Sequence, residues 1–217
     1  MRISGHSMST RTSIGCSPDF ESAFVRVADI CAPLDWGEIF SMRRPVHLDL
    51  GAGDGGFCAA HAARDRGVNV LAVERLLGRA RKIAKKAVRG GLENLRVLRL
   101  ESGYLMRYLV PPGTVAVIHL MHPDPWPKRR HWKHRLVDDA FAAACARALE
   151  PGGEIRLTID HPGYLREIVE RFDRQPELEA FRWLPGAGYP RSDFEAGFAG
   201  QGKVVFRQGW RRVARPR

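Results

Sequence analysis

The sequence predicts an α/β fold: a mostly parallel seven-stranded sheet with helices on both faces and an antiparallel C-terminal edge. Five short apolar runs alternate with stretches of helical periodicity, and two further strand-like runs follow after that alternation breaks. A glycine-rich turn directly after the first apolar run adds a third clue, because ligands of open α/β sheets bind in the crevice at the carboxyl ends of the strands.

The five runs are Val46–Leu50, Val68–Glu74, Leu95–Leu100, Thr114–Met121 and Glu154–Ile159. Between them, Gly56–Arg66, Leu76–Arg89, Arg135–Leu149 and Tyr164–Phe172 carry apolar residues at helical spacing, which predicts helices laid against the sheet. Pro151-Gly152-Gly153 is expected to end the third of these. Phe181–Leu184 and Lys203–Trp210 are the two runs expected to pair antiparallel at the edge. The Gly/Pro-rich stretch from Pro185 to Gly202 between them reads as the one long loop, a candidate for substrate contact. Residues 1–18, rich in Ser, Thr, Gly and Arg and without the apolar centre of a secretion signal, read as a disordered tail; 19–217 then form a single domain.

Composition narrows the function classes. The chain has 217 residues, 44% of them hydrophobic, with no apolar stretch long enough to span a bilayer, so one core and no membrane association are expected. Cys16, Cys31, Cys58 and Cys145 are scattered without C-x-x-C spacing, which argues against a disulfide framework or zinc knuckle and for reduced thiols in a cytoplasmic protein. A net charge of +11 points to a polyanionic partner such as nucleic acid, although an Arg-rich composition produces basicity without binding anything.

The turn Asp49-Leu50-Gly51-Ala52-Gly53-Asp54-Gly55-Gly56 lets a ligand approach the backbone, and its glycines satisfy G-x-G-x-x-G. Two ligands fit that spacing. A dinucleotide would set a pyrophosphate on the turn and disfavour nearby carboxylates; S-adenosylmethionine brings an ammonium and a sulfonium, which Asp49 and Asp54 would stabilise. Glu74, ending the second run, suits ribose hydroxyls in either case, and Glu101 and Ser102 after the third are placed to reach an adenine amine.

The most informative segment runs from His119 to Arg135. Its Pro123-Asp124-Pro125-Trp126 core presents a carboxylate in a rigid frame at the end of the fourth run, with an aromatic face for stacking a base. Lys128, Arg129, Arg130, Lys133 and Arg135 follow, interleaved with His131, Trp132 and His134, a pattern that suits a phosphate backbone and an unstacked base. His119, His122, Asp124 and His131 are not expected to hold a metal, because residues 119 and 122 point to opposite faces of a strand; His119 reads as a core histidine.

On these residues the sequence resembles the bacterial tRNA (guanine-N7-)-methyltransferase family, over roughly Val46 to Arg211. The Pro123-Asp124-Pro125-Trp126-x-Lys128-x-Arg130-His131 run carries the likeness, joined by Thr158-Ile159-Asp160 and Ser192-Asp193-Phe194-Glu195. The resemblance implies a Rossmann-like class I methyltransferase fold, S-adenosylmethionine as methyl donor, no metal, and tRNA as partner, with 7-methylguanosine formed at guanosine-46 of the variable loop. It implies that Asp49, Gly51, Gly53, Glu74, Glu101 and Ser102 hold the donor, that Asp124 is catalytic, and that Lys128, Arg130, His131, Asp160, Ser192, Phe194 and Glu195 face the substrate. Five positions depart from the family pattern: Asp49 stands for Glu, Glu101 for Asp, Pro127 for His, Ser192 for Thr and Asp193 for Lys. The rival readings are an adenine-N6-type exocyclic-amine methyltransferase, a nicotinamide-dependent oxidoreductase and a catalytically silent RNA-binding relative. Whether the protein is a monomer or a homodimer is open at this point.

Overall fold

Alternation of side chains along a strand sets Leu48 and Leu50 on one face of the first strand and His47 and Asp49 on the other, and both faces are covered. The computed structural model describes residues 20–198 and 202–213, so the tail expected at 1–18 lies outside the described residues. Seven strands form one sheet of order β3-β2-β1-β4-β5-β7-β6. The first five, β1 (Val46–Leu50), β2 (Asn69–Val73), β3 (Leu95–Leu98), β4 (Val115–Met121) and β5 (Leu149–Ile159), pair in parallel. The last two, β6 (Leu178–Phe181) and β7 (Phe206–Arg212), add the antiparallel edge. Strand order reverses between β1 and β4, and the glycine turn and the Pro-Asp-Pro-Trp turn follow the carboxyl ends of these two neighbouring strands.

Helices cover both faces. A one-turn α1 (Trp36–Ile39) precedes β1; α2 (Gly56–Arg64) and α3 (Leu77–Arg89) follow β1 and β2. The α4 turn (Ser102–Tyr104) continues as a π-helical turn over Leu105–Leu109, and α5 (Asp139–Ala148) and α6 (Pro162–Asp173) follow β4 and β5. The larger core packs Leu48, Leu50, Ile118, Leu120, Ile155 and Leu157 against Phe141, Ile168, Phe172 and Trp210. A smaller one joins Val70, Ala72 and Val97 to Cys58 and Ala62 of α2 and to Ala80, Ile83, Ala84 and Ala87 of α3. The buried positions of α3 share one stripe, while Arg79, Arg81, Lys82, Lys85, Lys86 and Arg89 face solvent.

Several boundaries differ from those expected; β7, for one, runs over Phe206–Arg212 rather than Lys203–Trp210, because its pairing with β5 begins where Phe206 meets Ile159. The third helix begins at Asp139 rather than Arg135 because Asp138 caps it, its carboxylate accepting from the Phe141 N–H at 2.7 Å, while Arg129–His134 form a separate 3-10 turn. β5 starts before the Pro-Gly-Gly segment: Leu149 pairs with Val115, Gly152 (φ 80°) turns the chain outward, and Glu154 resumes opposite Val117. β6 lies three residues earlier than expected because register is set across the edge, where Phe181 pairs with Gly209 and its ring occupies the space a Cβ there would need. The loop expected from Pro185 to Gly202 contains α7 (Asp193–Phe198), capped by Ser192, whose Oγ accepts from the Glu195 N–H at 3.1 Å.

The glycine turn depends on a close approach of α2 to α3. Gly55 has φ 80°, and a Cβ there would sit 2.6 Å from Ile83 Cγ1, whereas Gly51, at φ 78°, has open space around the same position. Gly51→Ala should therefore cost only the left-handed backbone term, roughly 1–2 kcal/mol. Gly55→Ala should lose about 1–3 kcal/mol more through overpacking. Urea denaturation of the two variants measures the difference; equal losses would remove the close-approach argument.

Candidate functional site

The glycine turn spends most of its backbone donors inside the protein. The Gly51 and Ala52 N–H groups donate to the Val73 carbonyl at 2.9 and 3.0 Å, Gly53 N–H to Glu74 Oε2 at 3.1 Å, and Gly55 N–H to the Ala52 carbonyl at 3.0 Å. At the N-terminus of α2, where a pyrophosphate would gain most from the helix dipole, the Gly56 N–H already donates to the Asp193 carboxylate at 3.2 Å. A cavity of about 190 Å³ opens over this turn, lined by Asp49, Gly51, Ala52, Gly53, Asp54, Phe57, Arg79, Met121 and Ser192–Phe194. No atom of the described residues occupies the space where Gly51 or Gly53 would carry a Cβ, so the turn is a bare backbone cradle.

The two carboxylates of the turn are in opposite electrostatic states. Asp54 is half-exposed and neutralised by Lys82 at 2.8 Å and Arg79 at 3.8 Å; the Lys82 hydrogen bond leads the effects that hold its carboxyl below the usual range. Asp49 is 1% exposed, and neither oxygen has a hydrogen-bond partner among the described residues. Burial pushes its carboxyl up to about 7; the nearby Cys58 thiol offsets the rise and the Glu74 charge adds to it. An anion so placed is costly alone and favourable beside a cation. The cavity therefore fits a ligand with a positive group over Asp49, which suits the ammonium of S-adenosylmethionine and opposes a pyrophosphate.

Glu74 is buried and holds the turn itself, with Oε2 on Gly53 N–H and Oε1 on Leu76 N–H at 2.8 Å. Lone pairs remain on both oxygens for a ribose. Glu101 caps α4, accepting from the Gly103 and Tyr104 N–H groups at 2.8 and 2.7 Å, and neither it nor the buried Ser102 lines the cavity. The geometry thus gives Glu101 a structural task that explains an acid at that position without any ligand. Phe57, Arg79 and Met121 line the cavity and were not singled out from sequence; only the position of Phe57, just inside the helix after the glycine turn, was a signal.

At the end of β4 the backbone is bent twice. His122 and Trp126, both outside glycine, adopt φ 53° and 42° on either side of Asp124. Such conformations persist only where surroundings enforce them. Here the His122 N–H donates to the Thr158 carbonyl at 2.7 Å, and the Arg135 guanidinium donates to the Pro125 carbonyl at 2.8 Å. Asp124 is exposed and is not among the residues that line the cavity, which reaches the end of β4 only at Met121. The same bend carries His122 onto the Asp160 carboxylate at 3.5 Å and its ring to 6.0 Å from Phe194, while Glu195 pairs with Arg207. His122, Asp160, Phe194 and Glu195 are thereby gathered from three segments. His119 points the other way and is fully buried, as strand alternation requires.

The basic segment divides. Lys128, Arg129, Arg130 and Lys133 are exposed, with Arg129 stacked on Trp132 at 5.5 Å. His131 and His134 close around Trp126 at ring distances of 5.7 and 5.2 Å, and the Arg130 Nε–H donates to His131 at 3.2 Å. Arg135 is turned inward: it lies over Trp132 and Tyr164 at 4.4 and 4.8 Å and pairs with Glu167 at 2.5 Å. It belongs to the frame of the turn, not to the cationic surface.

A doubly wound sheet, a backbone cradle at its switch point and an unpaired buried acid beneath it define the class, a Rossmann-like methyltransferase fold. Solved structures agree on the fold: the 16S rRNA methyltransferase KamB is 19% identical with a TM-score of 0.61, covering 83% of this chain and 93% of that one. A SAM-dependent O-methyltransferase from Thermotoga maritima is 19% identical with a TM-score of 0.55, covering 83% and 64%. The profile of a family described as putative methyltransferase matches residues 43–207. The tRNA (guanine-N(7)-)-methyltransferase of Sphingopyxis alaskensis is 35% identical, covering 84% of each chain. That of Geobacter metallireducens is 30% identical, covering 88% of this chain and 93% of its own. The chain belongs to the tRNA (guanine-N(7)-)-methyltransferase family.

Asp49 makes a signed prediction about pH. Its folded pKa of about 7 lies above the ordinary 3.8, so between these values the folded state holds a proton that the unfolded chain has lost. Stability of the ligand-free protein from this group is full below about pH 4 and is lost as pH rises to about 7, by up to about 4 kcal/mol. Asp49→Asn should gain on the wild type over that window, read as a widening gap between their denaturation midpoints. A constant gap would contradict the burial argument. Arg135→Lys, which keeps charge but not the stacked, forked contacts, should lower the melting temperature and raise the protease sensitivity of the 122–135 segment.

Proposed function

We propose that this protein transfers a methyl group from S-adenosylmethionine to N7 of a guanine in tRNA, forming 7-methylguanosine. The reading rests on one observation above the others: Asp49, buried and without a partner among the described residues, at the floor of a glycine cradle. When bound, S-adenosylmethionine supplies an electrophilic methyl group on a sulfonium. Asp49 would hold the donor's ammonium, Gly51 and Gly53 would leave room for its approach, and Glu74 would meet its ribose; Glu101 and Ser102 remain candidates for the adenine end.

Guanine N7 presents a lone pair and carries no proton, so no residue has to act as a base on the nucleophile. Positioning then supplies most of the acceleration. As the methyl group moves, the sulfonium loses its positive charge and the base gains one, and a fixed carboxylate beside the base stabilises that charge. Asp124, presented by its strained turn, is assigned this task. Asp160, whose carboxylate lies 3.5 Å from His122 Nδ1, and Glu195 can accept from guanine N1–H and amino donors, which adenine's edge does not offer in the same pattern. Phe194 and Trp126 offer faces for the unstacked base, and Ser192 frames the pocket through its cap of α7.

The exposed Lys128, Arg130 and neighbouring His131, with the cationic face of α3, would take the phosphate backbone. This is compatible with tRNA recognition by shape, with the variable-loop guanosine as acceptor. No helix among the described residues is long and apolar enough to cross a membrane, and a cytoplasmic location accords with a tRNA substrate.

Incubation with unmodified tRNA and labelled methyl donor, followed by nucleoside mass spectrometry, tests the reading. The expected product is 7-methylguanosine; N6-methyladenosine, or no methylated nucleoside, would overturn it. Asp124→Asn should lower kcat roughly 100-fold or more while leaving affinity for S-adenosylhomocysteine unchanged. Asp49→Asn should weaken binding of that product and raise KM for the donor, with a smaller effect on kcat.

A further inference from the structure

Behind the cavity, on the α2 face of the sheet, lies a cluster that methyl transfer does not use. His47 of β1, His61 of α2 and His119 of β4 are 7, 4 and 0% exposed, and one ligand nitrogen from each lies within 4.8 Å of the others. His47 Nδ1 and His61 Nε2 face each other at 2.9 Å, their rings nearly parallel, and the His119 ring stands edge-on to His61 at 4.9 Å. Tyr189 closes the cluster from above, its hydroxyl 3.2 Å from His119 Nδ1. That contact leaves His119 Nε2, fully buried and without a hydrogen-bond partner among the described residues, as the free nitrogen of the ring.

We propose that His47, His61 and His119 bind one divalent first-row transition-metal ion of the zinc type, tying β1, α2 and β4 together beneath the donor cavity. Imidazole nitrogens are the usual ligands for such ions, and three of them with an open fourth position make a common set. A tetrahedral ion with Zn–N bonds of about 2.0–2.1 Å holds its ligand nitrogens about 3.3 Å apart, so small ring rotations bring this cluster to bonding geometry. In the absence of an ion, the short His47–His61 contact requires a proton on one nitrogen; with an ion, both lone pairs have a partner. The Tyr189 hydroxyl orients His119 from outside, as the outer partners of metal-bound histidines do.

The rings are held in place by close aromatic packing: the Phe57 ring stands edge-on to His119 at 4.9 Å, and the Tyr189 ring lies 6.0 Å from His61 and 6.4 Å from His119. Arg156 and Arg64 are the cations that face the cluster, lying 6.0 and 5.9 Å from the Tyr189 ring, and the charge of Arg156 is met by Glu154 at 2.8 Å; the Asp65 carboxylate acts on His47 and His61 in the opposite sense to Arg156. Phe57 links the cluster to the cavity, stacking on His61 at 5.5 Å while lining the donor pocket. The site is distinct from the pairing of His119 with His122 that strand alternation excludes.

The test uses the full chain stripped with a chelator and titrated with Co²⁺ as spectroscopic probe, then with Zn²⁺ in competition. One equivalent of cobalt should bind the wild type with the visible absorption of a four-coordinate, nitrogen-ligated ion, and zinc should displace it and raise the melting temperature. His61→Gln and His119→Gln should each weaken binding at least 100-fold. The double variant His131→Gln/His134→Gln, at the separate histidine pair beside Trp126, should bind as the wild type does. No binding by the wild type overturns the proposal even if the core variants fail to fold, and so does loss of binding in the His131/His134 variant.

Discussion

The structure turns on a buried carboxylate that has no hydrogen-bond partner among the described residues and forms the floor of a cavity. Asp49 sits at the carboxyl end of β1 with full burial and no donor on either oxygen among the described residues, while Asp54, five residues later, is answered by two cations of α3. Burial raises this carboxyl to about 7, and a cation placed over it favours the charged form, so the cavity floor discriminates by charge. The neighbouring donors follow the same logic. Glu74 and Asp193 take up the Gly53 and Gly56 N–H groups that a pyrophosphate would need, so the motif shared with dinucleotide sites is chemically a different site.

A second constraint lies across the switch point. The left-handed residues His122 and Trp126 bend the chain sharply around Asp124, and the bend is held by His122 N–H on Thr158 and Arg135 on Pro125. The arrangement leaves Asp124 exposed between the two bends. Arg135 shows how a cationic run divides its labour: one guanidinium is buried between two rings to fix the frame, and the rest stay in water.

Departures from the family pattern find partial explanations in the same geometry. Asp193 lacks the cation usual at its position, yet its carboxylate caps α2 and lines the cavity, so the substitution carries a local structural role. Ser192 in place of Thr still caps α7 through its hydroxyl. Glu101 in place of Asp caps α4 with both oxygens. Nothing in the structure explains Pro127.

By itself the sequence determined the strand succession, the parallel sheet with an antiparallel edge and the position of the crevice, because these follow from local periodicity and from turn residues whose conformations are fixed nearby. It misplaced β6 and α7, since register at a sheet edge and a helix inside a Gly/Pro-rich loop are set by distant partners such as Gly209 and Gly56. Only the tertiary structure decided which acids are neutralised, that Glu101 caps a helix, and that Phe57, Arg79 and Met121 share the cavity. It alone brought His47, His61 and His119 together, three residues whose spacing along the chain fits no ligand motif, because burial and charge pairing are properties of the folded chain's neighbours in space rather than of its neighbours in sequence.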